Sequence, residues 1–244
     1  MQEKRKSLLW QRFRDEQSRT CIRPQDSKRE TSKMHMPFDY FEFSPEKNIK
    51  KTVILLHGYL QHGGVFFDQW LSSIGRENID YRIISINAPF PIVTKKEDQS
   101  FRVGFSWYFY DSQNKEFLIT HDSATSFIEE GLKKIISPDS PLTIIGYSQG
   151  GYLAPFVAQQ INAVDQVIGI NAHFRAEYLQ MRPLNFQLDA IHGDNDEVVS
   201  CEDSMRSHQA LMTKASGQFV RLEGKGHQMD QGLIFKAHQL IKDS

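Results

Sequence analysis

Two kinds of apolar pattern alternate along this chain. Short, nearly continuous apolar runs recur at Thr52–Leu56, Tyr81–Ile86, Leu142–Ile145, Gln166–Ile170, Leu188–Ile191 and Gln218–Leu222. Runs of that length between turn residues predict strands covered on both faces. Between them apolar residues return at helical spacing. Val65–Glu77 puts Phe66, Phe67, Trp70, Leu71 and Ile74 on one face, and Thr120–Ile136 does so with Phe127, Ile128, Leu132, Ile135 and Ile136. Further helices are predicted from Gln149 to about Asn162, over Glu202–Ala215 and over Met229–Ile241. Met36–Phe43 alternates apolar with polar residues and predicts an opening edge strand. Strands alternating with helices imply an α/β fold: a mostly parallel central sheet flanked by helices on both faces.

One stretch resists this reading. From Asn87 to about Leu118 there is no clean period, and Pro89 and Pro91 exclude a helix or a central strand at its start. It carries Phe101, Phe105, Trp107, Tyr108, Phe109 and Tyr110. Those rings suit the wall of a substrate pocket, with Phe105 and Trp107 as candidates, or a loop pinned to the core by ring burial.

In a parallel α/β sheet the ligand site lies beyond the C-terminal ends of the strands. The polar clusters of this sequence fall there. The run Leu142–Ile145 enters Gly146-Tyr147-Ser148-Gln149-Gly150, and a helical pattern follows. A Gly-x-Ser-x-Gly at a sharp strand-to-helix turn exposes a serine oxygen and leaves the next backbone N–H, that of Gln149, free to face an anion. Thr52–Leu56 ends in His57-Gly58-Tyr59-Leu60, where the N–H of Tyr59 could supply a second oxyanion donor and Leu60 could touch substrate. His57 reads as a structural residue and His62 as a solvated loop residue.

A serine alkoxide does not form freely at neutral pH; it needs a base, and the base needs an orienting anion. The order nucleophile, acid, histidine directs the search downstream of Ser148. His208 and His238 fall inside predicted helices, whereas His227 follows a strand in the loop Gly224-Lys225-Gly226-His227. His227 is therefore the candidate base. Asp194 and Asp196 both follow the strand ending at Ile191, with Glu197 a third candidate, and spacing does not separate them.

Composition narrows the partners. The 244 residues suit one α/β domain, and a net charge of −1 selects neither nucleic acid nor an anionic surface. Residues 1–33 hold ten Lys and Arg against five Asp and Glu, net +5, and the rest is net −6. That segment reads as a basic, flexible extension ahead of an α/β domain over 34–244. Two cysteines, Cys21 and Cys201, do not make a disulfide framework and favour a reducing, cytoplasmic setting. No apolar run is long enough for a transmembrane helix, no signal peptide is visible, and no spacing suggests a metal site.

These motifs resemble the α/β-hydrolase superfamily, and within it the phospholipase/carboxylesterase group that includes acyl-protein thioesterases. Gly146-Tyr147-Ser148-Gln149-Gly150-Gly151 is similar to that group's nucleophile motif. His192-Gly193-x-x-Asp196-x-Val198-Val199 resembles its acid loop, Gly226-His227 its histidine loop and Leu56-His57-Gly58 its first loop. The likeness spans roughly residues 50–242. It implies a triad of Ser148, Asp196 and His227, with Asp196 rather than Asp194 as the acid. It also implies oxyanion donors on Tyr59 and Gln149, a small-molecule ester or acyl substrate, and no cofactor. Tyr59-Leu60-Gln61 departs from the Leu-Gly-Asp usual in thioesterases of the group, which sets a carboxylesterase ahead of an acyl-protein thioesterase or lysophospholipase. His57-Gly58-Tyr59-Leu60-Gln61 and Asn87-Ala88-Pro89-Phe90-Pro91 also resemble small fungal and eukaryotic serine hydrolases of the ester-cleaving type. A non-catalytic binding protein on the same scaffold is the alternative from another class.

Overall fold

The structure, a computed structural model, describes residues 37–46, 49, 51–111, 113–114, 116–138, 140–179 and 184–242. The basic segment 1–33 lies outside the described residues. The strands are β1 (Tyr40–Phe43), β2 (Thr52–Leu56), β3 (Arg82–Ile86), β4 (Phe90–Lys95), β5 (Phe101–Ser106), β6 (Phe109–Asp111), β7 (Glu116–Ile119), β8 (Leu142–Tyr147), β9 (Val164–Ile170), β10 (Gln187–Gly193) and β11 (Phe219–Leu222). The helices are α1 (Gly63–Ile74), α2 (His121–Leu132), α3 (Gln149–Ala158), α4 (Ala176–Leu179), α5 (Cys201–Leu211) and α6 (Gln231–Lys242).

Seven strands form the central sheet in the order β1-β3-β2-β8-β9-β10-β11. All neighbouring pairs are parallel except β1 with β3. The reason is in the residues. Every position of β2 and of β8 is buried, so both sheet faces must be covered, and the two helical layers cover them. One layer packs Ile54, Leu56, Ile144 and Val167 against α2 and α3 through Ile128, Leu153 and Val157. The other packs Val53, Leu55, Ile145 and Ile168 against α1 and α6 through Phe66, Trp70, Leu233 and Ala237. β1 stands at the edge with alternating exposure, as its period-two pattern predicts.

The stretch without a clean period is two antiparallel hairpins, β4 with β5 and β6 with β7. Pro91 is tolerated because β4 pairs on one side only. The predicted helix over Val65–Glu77 is shorter: α1 ends at Ile74, and Gly75, at φ +82, opens a 3₁₀ turn over Arg76–Asn78. His62 is half-buried rather than solvated. It caps α1, its Nδ1 accepting the Gly64 N–H at 2.9 Å.

Candidate active site

Ser148 sits where β8 passes into α3, at φ +50 and ψ −113. A side-chain-bearing residue there carries strain of roughly 1–3 kcal/mol. Its neighbours make the turn possible. A Cβ on Gly146 would stand 2.2 Å from the Gly150 carbonyl oxygen, and one on Gly150 would stand 2.2 Å from the Leu56 carbonyl oxygen. Only glycine fits where the helix start crosses the two central strands. The Ser148 N–H donates to Ile170 O at 2.9 Å, which ties the turn to β9.

The loops after β10 and β11 bring two further side chains to this turn. His227 Nε2 lies 3.1 Å from Ser148 Oγ, and His227 Nδ1 lies 2.8 Å from Asp196 Oδ2. A carboxylate can only accept, so Nδ1 carries the proton and Nε2 is left to accept from the hydroxyl. Asp196 is itself held: its Oδ1 accepts the N–H groups of Val198 and Val199, each at 2.9 Å. Asp194 points elsewhere. Its Oδ1 accepts the Gly224 N–H at 2.7 Å and its Oδ2 lies 3.6 Å from Arg221 Nε, so it shapes the turn between β10 and the loop after β11. Glu197 is exposed.

Facing Ser148, the loop after β2 uses its N–H groups selectively. Gly58 N–H donates to Gln61 Oε1, Leu60 N–H to Phe105 O and Gln61 N–H to Gly58 O. Among the described residues, the N–H groups of Tyr59 and Gln149 donate to no protein group. The Gln149 side chain is fully engaged instead, accepting from Trp107 N at 3.0 Å and donating to Tyr108 O at 2.8 Å. It anchors the end of β5 beside the Ser148 turn.

The suggested substrate residues divide. Leu60 and Phe105 are half-buried at the loop. Trp107 is not on a pocket wall: it is fully buried, packs on the His57 ring at 5.0 Å and donates Nε1–H to His57 O at 2.8 Å. Ring burial pins this part of the stretch, as the alternative reading had it. His57 is structural too. Its Nδ1–H donates to Gly58 O and its Nε2 accepts the Ala88 N–H, and burial lowers its pKa to about 4. His208 and His238 are buried in helices, donating to Leu188 O and bonded to Tyr81 Oη respectively.

Two residues that sequence reasoning gave no role hold the histidine loop. Tyr147 Oη donates to His227 O at 2.7 Å, and burial raises its phenol pKa to about 12, so it stays a donor. Asn171, fully buried at φ +47, donates Nδ2–H to Gly226 O at 3.0 Å and His227 O at 2.9 Å, and accepts the Gly193 N–H at 2.9 Å. It takes a left-handed conformation just past the strand end, which asparagine tolerates better than most residues. A cavity of about 730 Å³ lined by Leu132, Ile136, Leu142 and Ile161 lies at the start of β8, the far end of that strand from Ser148. No group of three His, Cys, Asp or Glu among the described residues could hold a metal ion. No helix among them is long and apolar enough to cross a membrane.

The sequence model of the family described as "Serine hydrolase (FSH1)" matches residues 47–228. The chain belongs to this family. No curated protein sequence matches it. The fold of this FSH1-family serine hydrolase is shared by solved structures of low identity. Zea mays acyl-protein thioesterase 2 superposes with a TM-score of 0.67 at 18% identity, covering 84% of this chain and 98% of that one. Esterase PE8 gives 0.65 at 21% identity, covering 80% and 93%. A Mesorhizobium loti carboxylesterase gives 0.63 at 16% identity, covering 85% and 95%. The chain is thus a hydrolase built on an α/β fold that resembles those of carboxylesterases and acyl-protein thioesterases.

Proposed function

We propose that this hydrolase cleaves carboxylic esters through an acyl-enzyme on Ser148. The supporting observation is the unbroken chain Ser148 Oγ–His227 Nε2 and His227 Nδ1–Asp196 Oδ2, at 3.1 and 2.8 Å, beside two N–H groups that the fold leaves unused. Ser148 attacks the acyl carbonyl while His227 Nε2 takes its proton. Asp196 keeps the ring in the tautomer with Nδ1 protonated and stabilises the imidazolium. The carbonyl oxygen becomes an oxyanion, received by the N–H groups of Tyr59 and Gln149, each contributing about 3 kcal/mol of transition-state stabilisation. The intermediate collapses as His227 returns the proton to the departing alcohol. Water, deprotonated by the same imidazole, then attacks the acyl-serine, and the acid leaves.

A thioester reading draws on the likeness to acyl-protein thioesterase 2. Against it stands Leu60 at φ +59, where the thioesterase pattern has glycine. A side chain in place of that glycine, next to the proposed Tyr59 donor in the chain, favours a short acyl group. The test is a matched series of p-nitrophenyl esters from acetate to palmitate, with the acyl thioester of each length, on wild type and Ser148→Ala. Turnover that peaks on short esters and disappears in Ser148→Ala is the expected result. A peak on long thioesters would replace the ester reading, and turnover by Ser148→Ala would remove the nucleophile.

A further inference from the structure

His192 belongs to the motif His192-Gly193-x-x-Asp196, yet the proposed chemistry gives it no part. It is fully buried at the end of β10, its ring nearly parallel to that of Phe219 at 6.3 Å. Its Nε2 lies 3.0 Å from Val199 O and 3.3 Å from Asp196 Oδ2. Both neighbours only accept, so Nε2 carries the proton and Nδ1 is bare. Among the described residues that Nδ1 is buried with no partner. An orphaned buried acceptor is costly, and an apolar side chain stacked on Phe219 would avoid it. Packing alone therefore does not explain a histidine here; the Nε2–H does. Burial lowers the pKa of this ring, which keeps it a neutral donor.

We propose that His192 is a positioning residue that holds Asp196 for its work on His227. This rests on Asp196 orienting His227. The two amides of Val198 and Val199 hold Oδ1 only. Oδ2, the oxygen that meets His227, lies 3.3 Å from His192 Nε2, whose N–H it shares with Val199 O at 3.0 Å. That donor fixes the direction of Oδ2 before His227 becomes charged. Being neutral, it does not compete with the imidazolium that the carboxylate must stabilise.

The experiment compares His192→Leu with His192→Gln, whose amide N–H reaches to about the place of Nε2. Asp196→Asn runs as the reference, and all are measured as purified full-length chain. Two quantities are read: the rate constant of fluorophosphonate labelling, which reports folded molecules whatever their fraction, and kcat and KM on p-nitrophenyl butyrate per labelled site. Loss of one hydrogen bond to a buried carboxylate should lower the labelling constant and kcat of His192→Leu by about 10- to 100-fold. KM should stay within about threefold, and His192→Gln should recover most of the loss. If His192→Leu does not fold, His192→Phe, which keeps a ring on Phe219, takes its place in the same comparison. A wild-type labelling constant in the apolar variant, or a defect in His192→Gln as deep as in that variant, overturns the proposal while Asp196→Asn remains impaired. Full activity in Asp196→Asn would instead overturn the role of Asp196 itself.

Discussion

Asn171→Ala isolates how the fold fixes the proposed base without touching it. The substitution removes three hydrogen bonds. His227 O keeps the Tyr147 hydroxyl at 2.7 Å, but the buried Gly193 N–H loses its acceptor. An unsatisfied buried N–H costs about 1–3 kcal/mol. Alanine at φ +47 adds left-handed strain of about 1 kcal/mol that asparagine tolerates better. The sum is a destabilisation of about 3 kcal/mol. Asn171→Gly loses the same bonds without the strain, and after the greater chain entropy of glycine it should be less destabilised by at most about 0.6 kcal/mol. Urea unfolding followed by tryptophan fluorescence measures both. Because Gly226 and His227 lose one anchor, kcat on a short ester should also fall by about tenfold at 25 °C, where both variants remain folded. An Asn171→Ala protein that unfolds at the wild-type urea midpoint and keeps wild-type kcat would refute the reasoning.

Other predictions bear on the site and the core. Ser148→Ala and His227→Ala should each lower ester turnover by about 10⁴-fold or more, with the urea midpoint nearly unchanged. Asp196→Asn should show a large loss and Asp194→Asn a small one, since Asp194 binds Gly224 N–H rather than the histidine; a larger loss in Asp194→Asn would reverse that assignment. Gly150→Ala should yield insoluble or inactive protein, because its Cβ would stand 2.2 Å from Leu56 O; normal yield and activity would contradict the turn geometry. His57 has a folded pKa near 4, below its ordinary 6.5, so the unfolded chain takes up protons first as pH falls. Its contribution, about 3 kcal/mol, is whole above pH 6.5 and lost as pH drops toward 4. Urea midpoints from pH 8 to 4 should fall over that window and fall less steeply in His57→Gln.

The sheet was legible because its central strands are buried on both faces, and burial on both faces leaves continuous apolar runs. Helices α1, α2, α5 and α6 were legible because each buries one stripe, and α3, buried along almost its whole length, because the Ser148 turn opens it. The hairpins β4–β5 and β6–β7 were not. Exposure alternates in β4 and β7, but outward positions such as Pro91, Val93 and Leu118 are apolar, so no period of two stands out in the sequence. Gly-x-Ser-x-Gly could be read because the turn imposes a local requirement on consecutive residues. Asp194 and Asp196 could not be separated by spacing, since what distinguishes them is which partner, His227 or Gly224, folds back some 30 residues later. Trp107 was open to both readings because aromatic content does not tell a pocket wall from a buried plug. Asn171 and Tyr147 make contacts 22 to 80 residues distant and His192 stands out only by a bare ring nitrogen, and one sequence carries no mark of that.

The most direct test of the central claim is the mass of the labelled peptide. The protein is treated with a fluorophosphonate, digested, and the peptide containing Ser148 is sequenced by mass spectrometry, for wild type and His227→Ala. A single adduct on Ser148, formed quickly in wild type and orders of magnitude more slowly in His227→Ala, is the predicted result. An adduct on another residue, or equal labelling of both proteins, would contradict it.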